Sequence, residues 1–406
     1  MKSLAKLFRY GPGPSSSHTI APYNAAILFK KEIENIKEVK ARITLYGSLA
    51  LTGKGHKTDL SIKDALYPIK TEVIFDIDST PIHPLLMKME GYKEDKLVKE
   101  RRYISLGGGE LVCLEDDKVN EIDIYPYKSF SSIIAYMKEH NIHSLKDFCL
   151  LYEDKDIDGY LMWCLKKMLE SVRIGLSKEG KIPTGPNKRI NLNRSAKSIY
   201  EKTNSLGSNE DKRTLLLSSY AYAVAESNAC GEKVITAPTC GSSGILPAVL
   251  YYEHEQKRVP LSKLRDSLYV AGIIGNLVKQ NASIAGSIGG CQAEVGTASS
   301  MAAASLCYIN DLSLHQIEYA SECALEHFLG LSCDPVDGYV AIPCIERNGI
   351  GAIRAYTSYM YAKHIEPIRK NMVSFDDVVL AMKLTGDSLS NAYKETSLGG
   401  LAKILK

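Results

Sequence analysis

The sequence predicts an α+β chain, with a small α/β-type domain over residues 1–153 followed by a mostly α-helical domain over residues 154–406. Three observations lead there. At 406 residues the chain is too long for one small core. Short β-branched runs alternate with helical patterns in its first part. Past Asp156, strand signals give way to long stretches rich in Ala, Leu, Met and Ser with apolar residues three and four apart.

In chain order, ARITLYGSLA (41–50) and TEVIFDID (71–78) read as strands, with helical pattern before and between them. RRYISLGGGELVCL (101–114) reads as a strand broken by glycines, and residues 120–140 as a loop running into a helix. Beyond the boundary near Asp154–Gly159, residues 161–176, 213–229, 264–280 and 293–309 read as helices whose small residues permit close packing.

Hydrophobic residues at 45% and charged residues at 24% are ordinary globular values. With 50 basic and 47 acidic residues mixed along the chain, there is no electrostatic footprint for nucleic acid or an anionic membrane. The opening MKSLAKLFRYGPGP lacks the apolar run of a signal peptide, and SMAAASLCYI is too short to span a bilayer. A soluble cytoplasmic protein is expected. Its ten cysteines then stand as buried thiols, metal ligands or nucleophiles rather than disulfides.

Several stretches exceed what helix or strand construction requires: GPSSSHT (Gly13–Thr19), LYGSLALTGKGHKTD (Leu45–Asp59), YISLGGG (Tyr103–Gly109), ITAPTCGSSGILPAVL (Ile235–Leu250), NASIAGSIGGCQAEVG (Asn281–Gly296) and CDPVDGYVAIPCIERNGIGA (Cys333–Ala352). In this order they closely resemble the single-chain bacterial L-serine dehydratases of the iron–sulfur type, from about Leu7 to Ala402. The chain departs from that family's pattern at Leu85 after His83–Pro84, at Phe328 after Glu326–His327, and at Asp337 where a glycine is common. The resemblance implies conversion of L-serine to pyruvate and ammonia, a [4Fe-4S] cluster and a homodimer.

Cys333 follows Cys291 by 42 residues and Cys344 follows by 11 more, spacings that fit no zinc-finger template. Cys291 follows Gly289–Gly290, Cys333 precedes Asp334–Pro335 and Cys344 follows Pro343, so non-helical backbone is expected around them. The resemblance makes Cys291, Cys333 and Cys344 the cluster ligands. Cys240, in a glycine-rich turn, is the rival thiol. Cys164, Cys307 and Cys323 lie inside helical patterns and read as structural.

Ser15, Ser16 and Ser17 precede a helical pattern with Pro22 in its first turn. One serine would satisfy a cap; three, followed by His18 and Thr19, suit carboxylate binding at a helix start. The Thr52–His56 run carries Lys54 and His56 and reads either as a surface turn or as an anion-binding loop. The resemblance places both segments in the active site, with His56 or His18 transferring the proton, while His83 reads equally as a turn residue. Thr239, Asn281 and Arg347 complete the expected substrate contacts, Arg347 alternatively tying Glu346 or the cysteine loop. Lys279 lacks a pyridoxal phosphate setting. Two rivals stand beside this reading: an iron–sulfur lyase for threonine or cysteine, and a non-catalytic, zinc-stabilised binding protein.

Overall fold

The computed structural model describes residues 1–116, 123–186 and 190–405; positions 120–122, which open the expected loop-to-helix stretch, lie outside them. Seven strands are present among the described residues: β1 (Tyr10–Pro12), β2 (Lys40–Tyr46), β3 (Lys70–Asp76), β4 (Leu86–Lys93), β5 (Lys96–Gly107), β6 (Glu110–Cys113) and β7 (Lys233–Ile235). Five form a mixed sheet ordered β3-β2-β4-β5-β6, in which only β2 and β3 run parallel; β1 pairs antiparallel with β7. The fold class is α+β.

Alternation along the strands sets the sheet's inner face. Ala41, Ile43 and Leu45 of β2, Met87 and Met89 of β4 and Tyr103 of β5 are buried against Phe29 and Ile33 of helix Ala21–Ile33 and Ile62 and Leu66 of helix Thr58–Leu66. The outer face carries polar residues such as Arg42 and Glu72, paired across β2 and β3. Two sequence expectations change in detail. The strand read over 41–50 ends at Tyr46, where Gly47 opens a short helix. The stretch read as one strand broken by glycines is a hairpin. Gly107, Gly108 and Gly109 have φ of +88°, +61° and +81°, a backbone only glycine adopts freely, so the chain reverses and β5 pairs with β6.

Helix Thr297–Ile309 is buried along nearly its whole length and packs against helices Leu261–Asn281, Leu314–Glu326 and Cys344–His364. Its alanines allow close approach, and its serines satisfy neighbouring carbonyls. Ser299 donates to Gly351 (2.9 Å), Ser300 to Ser321 (2.7 Å) and Ser305 to Ser267 (3.1 Å).

The sheet and the helices keep separate hydrophobic cores. The sheet-side cluster runs from Ala25 to Cys113, whereas Met1, Leu4, Leu7 and Phe8 at one side of it, and residues from Tyr125 onward at the other, belong to the helical core. The sequence misses this because residues 130–150 have the same amphipathic pattern whichever core receives them. The chain thus starts against the helices, leaves to build the sheet and returns.

A buried charge cluster ties these parts together. Glu110, opening β6, pairs with Lys2 and with Lys279 of helix Leu261–Asn281, so Lys279 is a structural cation. Burial alone would raise the Glu110 carboxyl, but the two ammonium groups outweigh it and hold it at about 2. Glu110→Gln would leave Lys279 buried without a counter-charge and is expected to destabilise the fold by about 3 kcal/mol. Urea unfolding reads this as a lowered midpoint; an unchanged midpoint would show the cluster to be energetically idle.

Candidate active site

Segments far apart in sequence meet on one small cavity. It is lined by Pro14, Ser15, His56, Gly241, Cys291, Glu294, Val295, Cys333, Pro335, Val340, Cys344 and Glu395. Cys291 follows Gly290, whose φ of +76° turns the chain, and leads into the helical run through Ile309. Cys344 is the first residue of helix Cys344–His364. Each of these two cysteines follows a break, at Gly290 after the single turn Gly286–Gly289 and at Pro343, and leads into a helix, which corrects the expectation of non-helical flanks on both sides. The consequence is favourable, because a helix N-terminus stabilises a thiolate. Cys333 lies in extended backbone, bridged to Lys394.

Thiol electrostatics are those of a donor set. The thiol of Cys333 hydrogen-bonds Cys291, and together with the Arg347 charge this holds Cys291 below the ordinary thiol range despite burial. The same hydrogen bond, with burial, pushes Cys333 well up; burial, then the charge of Cys291, does so for Cys344. Only one of the three ionises readily by itself, so a cationic group is needed in the cavity before all three can be thiolates. Space is kept for such a group, since a Cβ on Gly286 would meet Glu294 Oε2 at 2.8 Å and Cys333 Sγ at 3.0 Å. All three thiols line the cavity, and their number and softness suit an iron–sulfur cluster. Cys240 is buried but does not line the cavity.

The histidines approach from the sheet side. Ser15 caps the turn Ser16–Ile20, accepting from His18 N (3.2 Å), and the turn feeds helix Ala21–Ile33 with Pro22 in its first turn. His56 sits between helices Gly47–Thr52 and Thr58–Leu66, within the β2–β3 crossover. Both imidazoles are fully buried and stack at 4.5 Å between centroids. Their hydrogen bonds fix different tautomers. His56 Nδ1 lies 2.9 Å from the Thr52 carbonyl, which only accepts, so Nδ1 carries the proton and Nε2 is the basic nitrogen. The Ser48 hydroxyl donates to the Glu395 carbonyl (2.8 Å), so it must accept from His18 Nε2 at 2.9 Å. The remaining nitrogen, His18 Nδ1, faces the Ser17 hydroxyl at 2.9 Å. His18 is therefore enclosed by partners, whereas His56 Nε2 is buried without one.

Other expected residues separate into two groups. Ser15 lines the cavity, and Ser16 and Ser17 are buried in the turn behind it. Thr19 donates to the His56 carbonyl (2.8 Å), and Thr239 donates to Glu294 (2.7 Å). Arg347 donates to the Ser332 carbonyl (2.7 Å) and reaches Asp334 (3.4 Å), so it ties the Cys333 loop, while Glu346 is exposed. Lys54 is exposed, over the Phe75 ring, and Asn281 donates to the Lys128 carbonyl; neither lines the cavity, so neither is placed for the substrate contact expected of it. His83 accepts from Leu85 N (3.1 Å) within its turn.

Two carboxylates went unselected in the sequence. Glu294 lies three residues after Cys291, and its neighbourhood in an otherwise Gly-, Ala- and Ser-rich run was the available signal. Burial, then the charges of Glu395 and Cys291, push its carboxyl well up. Glu395 is 4% exposed, with Oε1 3.3 Å from His56 Nε2 and 3.5 Å from His18 Nδ1. Burial raises its carboxyl, but the two imidazoles outweigh that and hold it below its usual range. No periodicity marks this residue.

The family model described as serine dehydratase alpha chain matches residues 70–402, and that described as serine dehydratase beta chain matches residues 3–67. The chain belongs to the serine dehydratase family. The L-serine dehydratase of Helicobacter pylori (strain ATCC 700392 / 26695) is 36% identical, covering 100% of this chain and 99% of that protein. L-serine dehydratase 1 of Escherichia coli (strain K12) is 34% identical with 99% of each covered, and the L-serine dehydratase of Streptomyces coelicolor (strain ATCC BAA-471 / A3(2) / M145) is 35% identical with 98% of each covered. The border between the two family models falls between the paired strands β2 and β3, so the sheet is common to both. No helix among the described residues is long and apolar enough to cross a membrane.

Burial holds His18 down at about 4, against 6.5 when unperturbed. Between these values the unfolded chain binds a proton that the folded chain does not, so this contribution leaves stability constant above 6.5 and lowers it as pH falls towards 4. A fall of about 3 kcal/mol is expected over that window. Urea unfolding of His18→Gln should lack that slope; parallel slopes in both proteins would assign the acid sensitivity to other groups.

Proposed function

We propose that this chain is an L-serine dehydratase that converts L-serine to pyruvate and ammonia, with a [4Fe-4S] cluster on Cys291, Cys333 and Cys344. The observation that carries the proposal is the convergence of these three thiols and the basic nitrogen of His56 on one buried cavity. The cluster, when bound, supplies a Lewis-acidic iron that stabilises the leaving hydroxyl oxygen.

The chain's own residues do the rest. His56 Nε2 takes the Cα proton, a contribution of about 10²–10⁴-fold for a positioned base. Between the two histidines the tautomers favour His56, since both nitrogens of His18 face hydroxyls. Ser15 and the turn through Ser17 receive the substrate carboxylate at a helix start. Thr239 orients Glu294, and Arg347 steadies the Cys333 loop while its charge favours the thiolates. Enclosure excludes water until aminoacrylate forms, after which hydrolysis needs no enzyme group.

Ser15, His18 and His56 come from residues 1–153 and the cysteines, Glu294 and Glu395 from 154–406. We take this as a division of labour, the first part holding the amino acid and the second the cluster. A homodimer is the assembly implied by the family resemblance.

Protein purified without air should contain iron and sulfide, absorb in the visible and deaminate serine, with threonine and cysteine assayed beside it. Cys291→Ala, Cys333→Ala and Cys344→Ala should each abolish colour and activity, whereas Cys164→Ala, within helix Ile157–Gly175, should leave both largely intact. Serine turnover by iron-free protein would overturn the proposal. Air should inactivate the enzyme and ferrous iron with thiol restore it; indifference to oxygen would exclude an open iron.

A further inference from the structure

We propose that Glu395 is the positioning residue for His56, fixing the imidazole at the cavity wall and balancing the charge the ring gains on taking a proton. The inference rests on the dehydratase reading and adds a residue to it.

Two acceptor atoms define the geometry. His56 Nδ1 is committed to the Thr52 carbonyl, so Nε2 carries the ring's lone pair, and Glu395 Oε1 lies 3.3 Å from that nitrogen. A lone pair and a carboxylate oxygen repel at that distance unless a proton lies between them. The contact therefore strengthens most when His56 is protonated, as a partner for a general base requires. Both His56 Nε2 and Glu395 Oε2 are buried without hydrogen-bond partners, and both residues line the cavity. In the step, the Cα–H bond breaks and its proton passes to Nε2. Its electron pair forms the Cα–Cβ π bond, and the Cβ–O bond breaks with its pair leaving on the hydroxyl oxygen. Glu395 gains an imidazolium neighbour without changing its own bonds.

The backbone holds Glu395 in a conformation it would not choose. Its φ is +55° and that of Ser397 is +57°, the left-handed region that disfavours side chains with a Cβ. Such strain persists only where surrounding contacts over-determine it, and it concentrates at functional sites. Those contacts are present. Cys333 N donates to the Tyr393 carbonyl and Glu395 N to the Cys333 carbonyl, each at 2.8 Å. Ser48 donates to the Glu395 carbonyl (2.8 Å), Ser397 to the Pro335 carbonyl (2.5 Å), and Leu401 N to Asp334 Oδ2 (2.7 Å). The segment that carries the carboxylate is stitched to the loop of a cluster cysteine on one side and to the histidine-bearing half on the other.

The test compares anaerobically purified wild-type holoenzyme with Glu395→Gln and Glu395→Asp, recording kcat, KM and visible absorbance. Gln keeps the shape but cannot balance an imidazolium. It should lower kcat by about 10²-fold with absorbance retained. KM should stay within about threefold, and Asp should recover about tenfold of the lost kcat. Three results would each overturn the role. A wild-type kcat in Glu395→Gln makes the carboxylate idle. A raised KM with kcat retained makes it a substrate-binding group. Activity and absorbance lost together make it a prop for the cluster loop. Wild-type enzyme that holds its cluster yet does not deaminate serine would instead sink the dehydratase reading, so the two failures are separable.

Discussion

Ionisable groups taken out of water must be neutralised by one another or by a ligand, and this constraint organises the site. Two imidazoles, two carboxyl groups, three thiols and a guanidinium crowd around one cavity. Each charge alone would cost several kcal/mol to bury. The protein answers with partnered neutrality. His18 is uncharged between hydroxyls, and Cys291 leans on the Cys333 thiol and on Arg347. His56 Nε2 and Glu395 Oε2 are buried without a hydrogen-bond partner, on the cavity itself.

Packing supplies the rigidity that such balancing needs. Helix Thr297–Ile309 continues the run that begins beside Cys291, and its alanines and serines lock it between three other helices. Asn348, one turn past Cys344, donates to the carbonyls of Cys344 and Gly241 and accepts from Gly244 N. The start of that helix is thereby fixed to the Gly241–Gly244 turn, so thiol positions are set by hydrogen-bonded backbone rather than by side-chain freedom.

Much of the fold was legible in the sequence because period-two and period-3.6 patterns report directly on burial. β2, β3 and the long helices are seen in this way. The β5–β6 hairpin was not, because three glycines look alike whether they interrupt a strand or reverse it. The divide between cores was hidden because an amphipathic helix shows that it has a buried face but not which neighbour covers it. In the site, the cysteines stood out by resemblance, their spacing carrying no template. Lys54 and Asn281 sit in glycine-rich or polar runs that suggested binding, yet their side chains turn to Phe75 and Lys128. Glu395 was invisible because its role comes from a left-handed backbone and a bridge to Cys333, neither of which leaves a periodic trace.

The bond from Ser48 to the Glu395 carbonyl spans 347 positions. During synthesis, at roughly 5–20 residues per second, the histidine-bearing half waits many seconds for the segment that completes its environment. All three cysteines emerge before that segment does. The cavity wall is therefore completed only by the last part of the chain, after every other residue that lines it has been made.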